Sequence, residues 1–105
     1  MPVLYPNKLN YQAFKSIVKV LGDAVEIQEN ENRVTARLGK FTDSNELLSV
    51  YVYFRKHAVG NRFMPAIRVS LNKIGDQMVN ESISVGSYDQ IPLVKQRIAE
   101  FLAAQ

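Results

Sequence analysis

The chain contains no cysteine, so it forms neither disulfide bonds nor metal sites with thiolate ligands. Its longest hydrophobic runs span only a few residues, far fewer than a membrane-crossing helix needs. The first residues, M-P-V-L-Y-P-N-K, do not combine a basic segment with the apolar segment that follows it in a signal peptide. From these absences we expect a cytoplasmic protein that has no membrane partner.

The sequence is equally poor in patterns that mark catalysis. Its single histidine, His57, has no acidic partner at a recognisable spacing, and the acidic residues cluster around turns without any sign of a pocket. No serine lies in a nucleophile-elbow context, and neither a phosphate-binding loop nor a dinucleotide-binding fingerprint occurs. We therefore expect a protein that is not an enzyme, with no cofactor and no metal site.

Positive charge is concentrated in the middle of the chain. Residues 33–73 hold eight Lys or Arg against two acids, a balance of +6, whereas the remainder holds five basic and eight acidic residues, a balance of −3. Such asymmetry can attract an anionic partner, although a solvated surface is the more frequent outcome.

With 105 residues, of which 47% are hydrophobic, the chain has the size and composition of a single domain, 1–105. Two prolines predict that its first segment, 1–9, is extended or irregular. From 11 to 21 the apolar residues recur at helical spacing, with Asn10 before them as an N-cap and Gly22 after them as a stop. This pattern predicts an amphipathic N-terminal helix.

A second apolar stripe near the end of the chain predicts a C-terminal helix. Ser87 or Asp89 is its expected cap, and Pro92 falls in its first turn, where the missing N–H costs little. Lys95 and Arg97 are expected on its solvent side.

The segments between the two helices are rich in β-branched and aromatic residues and are joined by tight turns. In the second of them, Gly39 indicates a bulge or a close backbone approach. The expected fold class is α+β: an antiparallel 4–5-stranded sheet (meander) with N-terminal and C-terminal helices packed on one face, in the order α-β-β-β-β-β-α. The predicted strands cover 23–29, 33–41, 46–56, 62–74 and 78–85.

The strongest strand signal is 46–56, E-L-L-S-V-Y-V-Y-F-R-K. Read with a period of two, its apolar side faces the core and consists of Leu48, Val50, Val52 and Phe54. Its other side carries Ser49, Tyr51, Tyr53 and Arg55. Two tyrosines and an arginine in a row are unusual for a strand face that only contacts water.

Tyrosines on a sheet offer flat platforms for unpaired bases, and neighbouring arginines can neutralise phosphates. The sequence therefore favours a non-catalytic binding module whose Tyr/Arg face engages single-stranded nucleic acid. The turn 59–62, V-G-N-R, could add backbone N–H groups around a phosphate, although it is more often only a turn. The candidate binding residues are Arg33, Arg37, Tyr51, Tyr53, Arg55, Lys56, Arg62 and Arg68.

Two other interpretations of these residues stay open. Tyr and Arg are enriched where proteins bind each other, so the same face, or an edge of the sheet, can serve an adaptor, an inhibitor or a homodimer. Cross-strand Tyr–Arg pairs also stabilise an exposed sheet without any ligand.

The last third of the chain has I-S-V, a polar turn and then V-K-Q-R-I, a strand followed by a helix. In this order it resembles the Whirly type of single-strand binders. The resemblance implies binding of single-stranded nucleic acid.

Overall fold

The computed structural model describes residues 11–55, 67–76, 78–86 and 88–103. One helix precedes and one follows a five-stranded antiparallel sheet in which each strand pairs with the next along the chain. The predicted α+β meander is thereby confirmed. Its elements are α1 (Tyr11–Val18), β1 (Glu26–Glu29), β2 (Arg33–Phe41), β3 (Leu47–Arg55), β4 (Ile67–Ile74), β5 (Val79–Val85) and α2 (Ile91–Ala103), with 3₁₀ turns at Lys19–Leu21 and Tyr88–Gln90.

The helix α1 forms because apolar residues repeat every three or four positions and bury one side. Phe14 and Ile17 are fully buried against the sheet, and the 3₁₀ turn that follows brings Leu21 into the same core. Gly22 then adopts a φ of 85°, which favours glycine, and ends the helical segment as predicted.

Two hairpin turns are held by short polar side chains. The Asn30 side chain accepts hydrogen bonds from the backbone N–H groups of Asn32 (2.8 Å) and Arg33 (2.9 Å). In the next turn the buried hydroxyl of Thr42 accepts the N–H of Glu46 at 3.1 Å. Asn45, in the same turn, has a φ of 66°, a conformation that asparagine tolerates better than most residues.

The two faces of the sheet have different environments. The face we call the inner face packs against both helices, and its strand residues join the helical residues in one core. The central strand alternates as predicted, since its apolar side chains up to Val52 are buried and Phe54 is packed against the core. The buried strand residues of the inner face are Val34, Ala36, Leu38, Leu48, Val50, Val52, Ile67, Val69, Leu71 and Val85.

Polar contacts tie α2 to its neighbours. The Arg97 guanidinium donates to both carboxylate oxygens of Glu81 on β5, at 3.0 and 2.7 Å, and Lys95 Nζ donates to Ser16 Oγ of α1 at 2.9 Å. The hydrogen bond to Glu81 raises the pKa of Arg97 above its ordinary value. Lys95 and Arg97, expected on the solvent side of the helix, are both partly exposed, and each is also bonded to another element.

Two local expectations are corrected, at Gly39 and at Asp89. Gly39 pairs with Ser49 in an uninterrupted register, and a side chain there would meet open space, so it marks neither a bulge nor a close approach. All four residues of the edge strand β1 are exposed, including Ile27 on the inner face. Asp89 lies inside the 3₁₀ turn, so it is not the residue that precedes the first helical turn.

Several predicted features fall outside the described residues. They are the N-terminal segment 1–9, the Asn10 and Ser87 caps, His57, the turn 59–62 and the first part of the fourth strand, 62–66. Pro92 is the second residue of α2, as predicted. Within the described segments, neither helix has the length and hydrophobicity to cross a membrane.

Candidate functional site

The face of the sheet opposite the helices carries most of the candidate residues. We call it the outer face. The register places Arg37 and Ser70 on either side of Tyr51, and Thr35 and Arg68 on either side of Tyr53. Two residue pairs further along, and on the same face, Arg33 lies opposite Arg55.

The two tyrosine rings form the centre of this site. They lie nearly parallel, at an interplanar angle of 4° with their centroids 6.0 Å apart. This separation lies within the range of offset-stacked rings and slightly below the distance between alternate residues of a strand. Both side chains are half-buried, because each ring is flanked by the other and by neighbouring strands. The rings are therefore preordered and still partly accessible.

Arginine side chains surround the rings on the adjacent strands. The Arg33 guanidinium carbon lies 5.5 Å from the centroid of the Tyr53 ring, a cation–π contact between diagonal cross-strand neighbours. Arg33 and Arg68 are exposed, whereas Arg55 is half-buried. The contact with Tyr53 supports the ring from β2 and leaves the guanidinium accessible to solvent.

One arginine of the group already has an acidic partner. Arg37 Nη2 donates to Glu26 Oε2 at 3.0 Å, across the β1–β2 pair. Both side chains are exposed, so water screens this ion pair and it contributes little to stability. Its main consequence is electrostatic: Glu26 partly neutralises the edge of the face that is nearest to β1.

The outer face has a clear excess of positive charge. Among its described strand positions the register places four arginines and a single acidic residue, Glu26. On β4 and β5 several other positions of this face are polar and short, such as Ser70, Ser82 and Ser84. The face therefore presents positive charge beside two aromatic rings, with Arg68 and Ser70 as their neighbours toward β5.

Sequence reasoning missed an apolar row on the same face. Phe41, Leu47 and Ile74 lie side by side on β2, β3 and β4, four residue pairs beyond Tyr51 along the sheet. Phe41 is 69% exposed and Ile74 is 49% exposed, and the exposed Met78 directly precedes β5 beside them. The period-two pattern of the central strand, extended back from Tyr51, already places Leu47 on this face.

The structure thus brings six of the eight predicted binding residues onto one face. Lys56 and Arg62 lie outside the described residues, as does the phosphate-binding turn to which Arg62 would belong. Among the residues that the structure describes, no group of three or more His, Asp or Glu side chains is arranged to hold a metal ion. The six that are brought together are Arg33, Arg37, Tyr51, Tyr53, Arg55 and Arg68.

Comparison of the chain with protein-family models, with curated proteins and with solved structures gives no match. The resemblance of the last third to Whirly-type binders therefore stays without a family assignment.

Proposed function

We propose that this protein is a non-catalytic module that binds single-stranded nucleic acid on its outer face, in the cytoplasm. The observation that carries the proposal is the pair of parallel tyrosine rings, Tyr51 and Tyr53, surrounded by arginines on a sheet face that the two helices leave uncovered. The tyrosines stack on bases, and the arginines contact phosphates on either side of the rings.

The chemistry of the face favours a single strand over a duplex. Bases in a duplex are stacked on each other, so their flat faces are not available to a tyrosine ring. An unpaired base exposes its face, and every base has one, so stacking of this kind tolerates any sequence. We therefore expect little sequence preference and a preference for single-stranded over double-stranded oligonucleotides.

The proposal predicts binding that weakens steeply with salt. In fluorescence anisotropy titrations with a labelled single-stranded oligonucleotide, the logarithm of the affinity should fall linearly with the logarithm of salt concentration. Three to four arginine–phosphate contacts give a slope of about −2 to −3, since each contact on a single strand contributes about −0.7. The same oligonucleotide annealed to its complement is the control, and it should bind more weakly. Absence of binding at low salt would refute the proposal.

Removal of the acidic residue on the outer face should strengthen binding. Glu26→Gln releases Arg37 from its ion pair and raises the positive charge beside the rings. We expect the affinity for the oligonucleotide to rise severalfold at low salt and the gain to shrink as salt is added. The salt dependence should also become steeper, because Arg37 becomes available to a phosphate.

The matched control for this change is Glu29→Gln on the same strand. Glu29 pairs with Val34, so the register directs it to the opposite side of the sheet, whereas the change in net charge is identical. If both variants gain equally, the effect comes from net charge alone, and a local contribution of Arg37 to binding is contradicted.

A second candidate function is a protein contact through the same face. The apolar row of Phe41, Leu47 and Ile74, in which Phe41 and Ile74 are exposed, favours it, because the centres of protein interfaces are rich in apolar and aromatic residues. Two results together would favour this candidate. The chain would fail to bind oligonucleotides at low salt, and it would form a stable complex with a protein, or with a second copy of itself, that Tyr51→Ala weakens.

A further inference from the structure

The sheet has two edges that differ in length and charge. At one edge β1 is only four residues long and carries Glu26 and Glu29, features that discourage pairing with another strand. At the other edge β5 is seven residues long and has a single charged residue, Glu81. That carboxylate is already paired with Arg97. Among the residues that the structure describes, β5 is the edge that lacks such features.

The side of β5 that faces away from β4 lies at the edge of the described sheet. The strand pairs with β4 on one side, and in the described part of the chain no further backbone hydrogen bond to β5 is formed. Because alternate residues of an antiparallel strand direct their N–H and C=O groups outward, this edge presents a row of groups that another strand can satisfy.

We propose that two copies of this chain pair through β5, antiparallel to each other, to form a homodimer with a continuous ten-stranded sheet. The two-fold axis passes through Ser82, the middle residue of the strand, and is perpendicular to the sheet. This register uses all seven residues, and it keeps the helices of both copies on the same side.

The residues of β5 are complementary to themselves in this register. On the outer face Ser82 lies opposite its own copy, and Asn80 opposite Ser84, so that polar side chains meet and can exchange hydrogen bonds. On the inner face Glu81 lies opposite Ile83, which avoids a like-charge pair. An axis one residue earlier would place Glu81 opposite Glu81 and is therefore disfavoured.

Two exposed apolar residues flank the same edge. Val79 on β5 is 40% exposed, and Leu93 of α2 is 67% exposed. Leu93 lies one turn before Arg97, on the side of the helix that faces β5. The N–H of Gly86 donates to the Gln90 side chain at 2.6 Å, which keeps this end of α2 beside the end of β5. In the dimer, Val79 of the other copy pairs with Val85 and comes to lie near Leu93, so both exposed side chains lose contact with water.

The dimer also extends the proposed binding face. The outer faces of the two copies become one surface, and the two β3 strands lie five strand spacings apart, about 24 Å. A long oligonucleotide can then engage both pairs of tyrosines, whereas a short one engages a single pair.

Light scattering coupled to size-exclusion chromatography tests the proposal on the full chain. The wild type should have twice the monomer mass of 11.9 kDa at high concentration. Ser82→Lys and Ser82→Glu each place like charges opposite each other, so each should raise the dimer dissociation constant by about tenfold or more. Mixing the two variants should restore the dimer, because lysine and glutamate then face each other across the axis.

The control is Gln28→Lys, which places the same charge on the outer face at the β1 edge and should leave the dimer unchanged. A wild type that stays monomeric would overturn the proposal. So would a dimer that tolerates both Ser82 variants but is lost with Phe41→Ser, since its contact then lies on the outer face. The mass of the wild type without oligonucleotide tests dimerisation, and its affinity for a short oligonucleotide tests the proposed function, so either proposal can fail while the other stands.

Discussion

Replacement of both Tyr51 and Tyr53 by alanine should reduce the affinity for a single-stranded oligonucleotide by at least about 30-fold. Stacking of one base on an aromatic side chain contributes about 1–3 kcal/mol, and the two parallel rings can each accept a base. A loss of about 2 kcal/mol already corresponds to about 30-fold in affinity. Anisotropy titrations at a fixed low salt concentration measure the effect.

The salt dependence of the affinity distinguishes a loss of base stacking from a wider disruption of the outer face. The double variant keeps its arginines, so the slope of affinity against salt should stay close to that of the wild type even though binding is weaker. The conservative variant, with both tyrosines changed to phenylalanine, keeps the rings and should retain most of the affinity. Tyr88→Ala provides the matched control, because Tyr88 is an exposed tyrosine in the 3₁₀ turn before α2. An equal loss in Tyr88→Ala would contradict a specific role for the outer-face rings.

The side of the sheet on which these tyrosines lie could be predicted from the sequence. Side chains of a strand alternate strictly, and Val50 and Val52 leave no doubt about which side is apolar. Burial of both valines required Tyr51 and Tyr53 to point the other way, and the structure confirms it. A local pattern was sufficient because the alternation is a property of a single strand.

Contacts between strands could not be predicted from the alternation of polar and apolar residues. The ion pair of Glu26 with Arg37 depends on the β1–β2 register, and a shift of one residue would turn one strand over relative to the other. The sequence of the polar turn 30–32 does not show whether Asn30 is part of the loop or pairs with the opposite strand. In the structure its N–H donates to the Arg33 carbonyl at 2.9 Å, so it closes the ladder and fixes the pairing.

The apolar row was missed for a related reason. Phe41 and Ile74 are the last residues of β2 and β4, at the ends that the sequence predicted, but the sequence does not show the register between these strands. Only the pairing with Leu47 shows that these residues of three different strands form a neighbouring group. Prediction of a patch that three strand ends form together requires the register between the strands. Prediction of the tyrosine pair did not, because both tyrosines lie on one strand.

Phe14→Ala should destabilise the protein more than any substitution on the outer face, by about 3–5 kcal/mol. The Phe14 side chain is fully buried, and its ring packs at 5.7 Å against Phe54 of β3 and at 5.7 Å against Tyr11. Removal of the ring leaves a cavity where α1 meets the central strand. Since a domain of this size is stable by only about 5–15 kcal/mol, the loss is a large fraction of the total.

Urea unfolding followed by circular dichroism measures this loss as a shift of the midpoint at constant slope. The matched control is Phe41→Ala, which removes the same ring from a position that is 69% exposed, and its unfolding free energy should change by less than about 0.5 kcal/mol. Equal losses in the two variants would contradict the assignment of the helices to the inner face. Because Phe54 alternates with Tyr53 and Arg55 along β3, the contact with Phe14 also keeps those two residues on the outer face. The stability of the core and the geometry of the proposed binding face therefore depend on the same helix–strand contact.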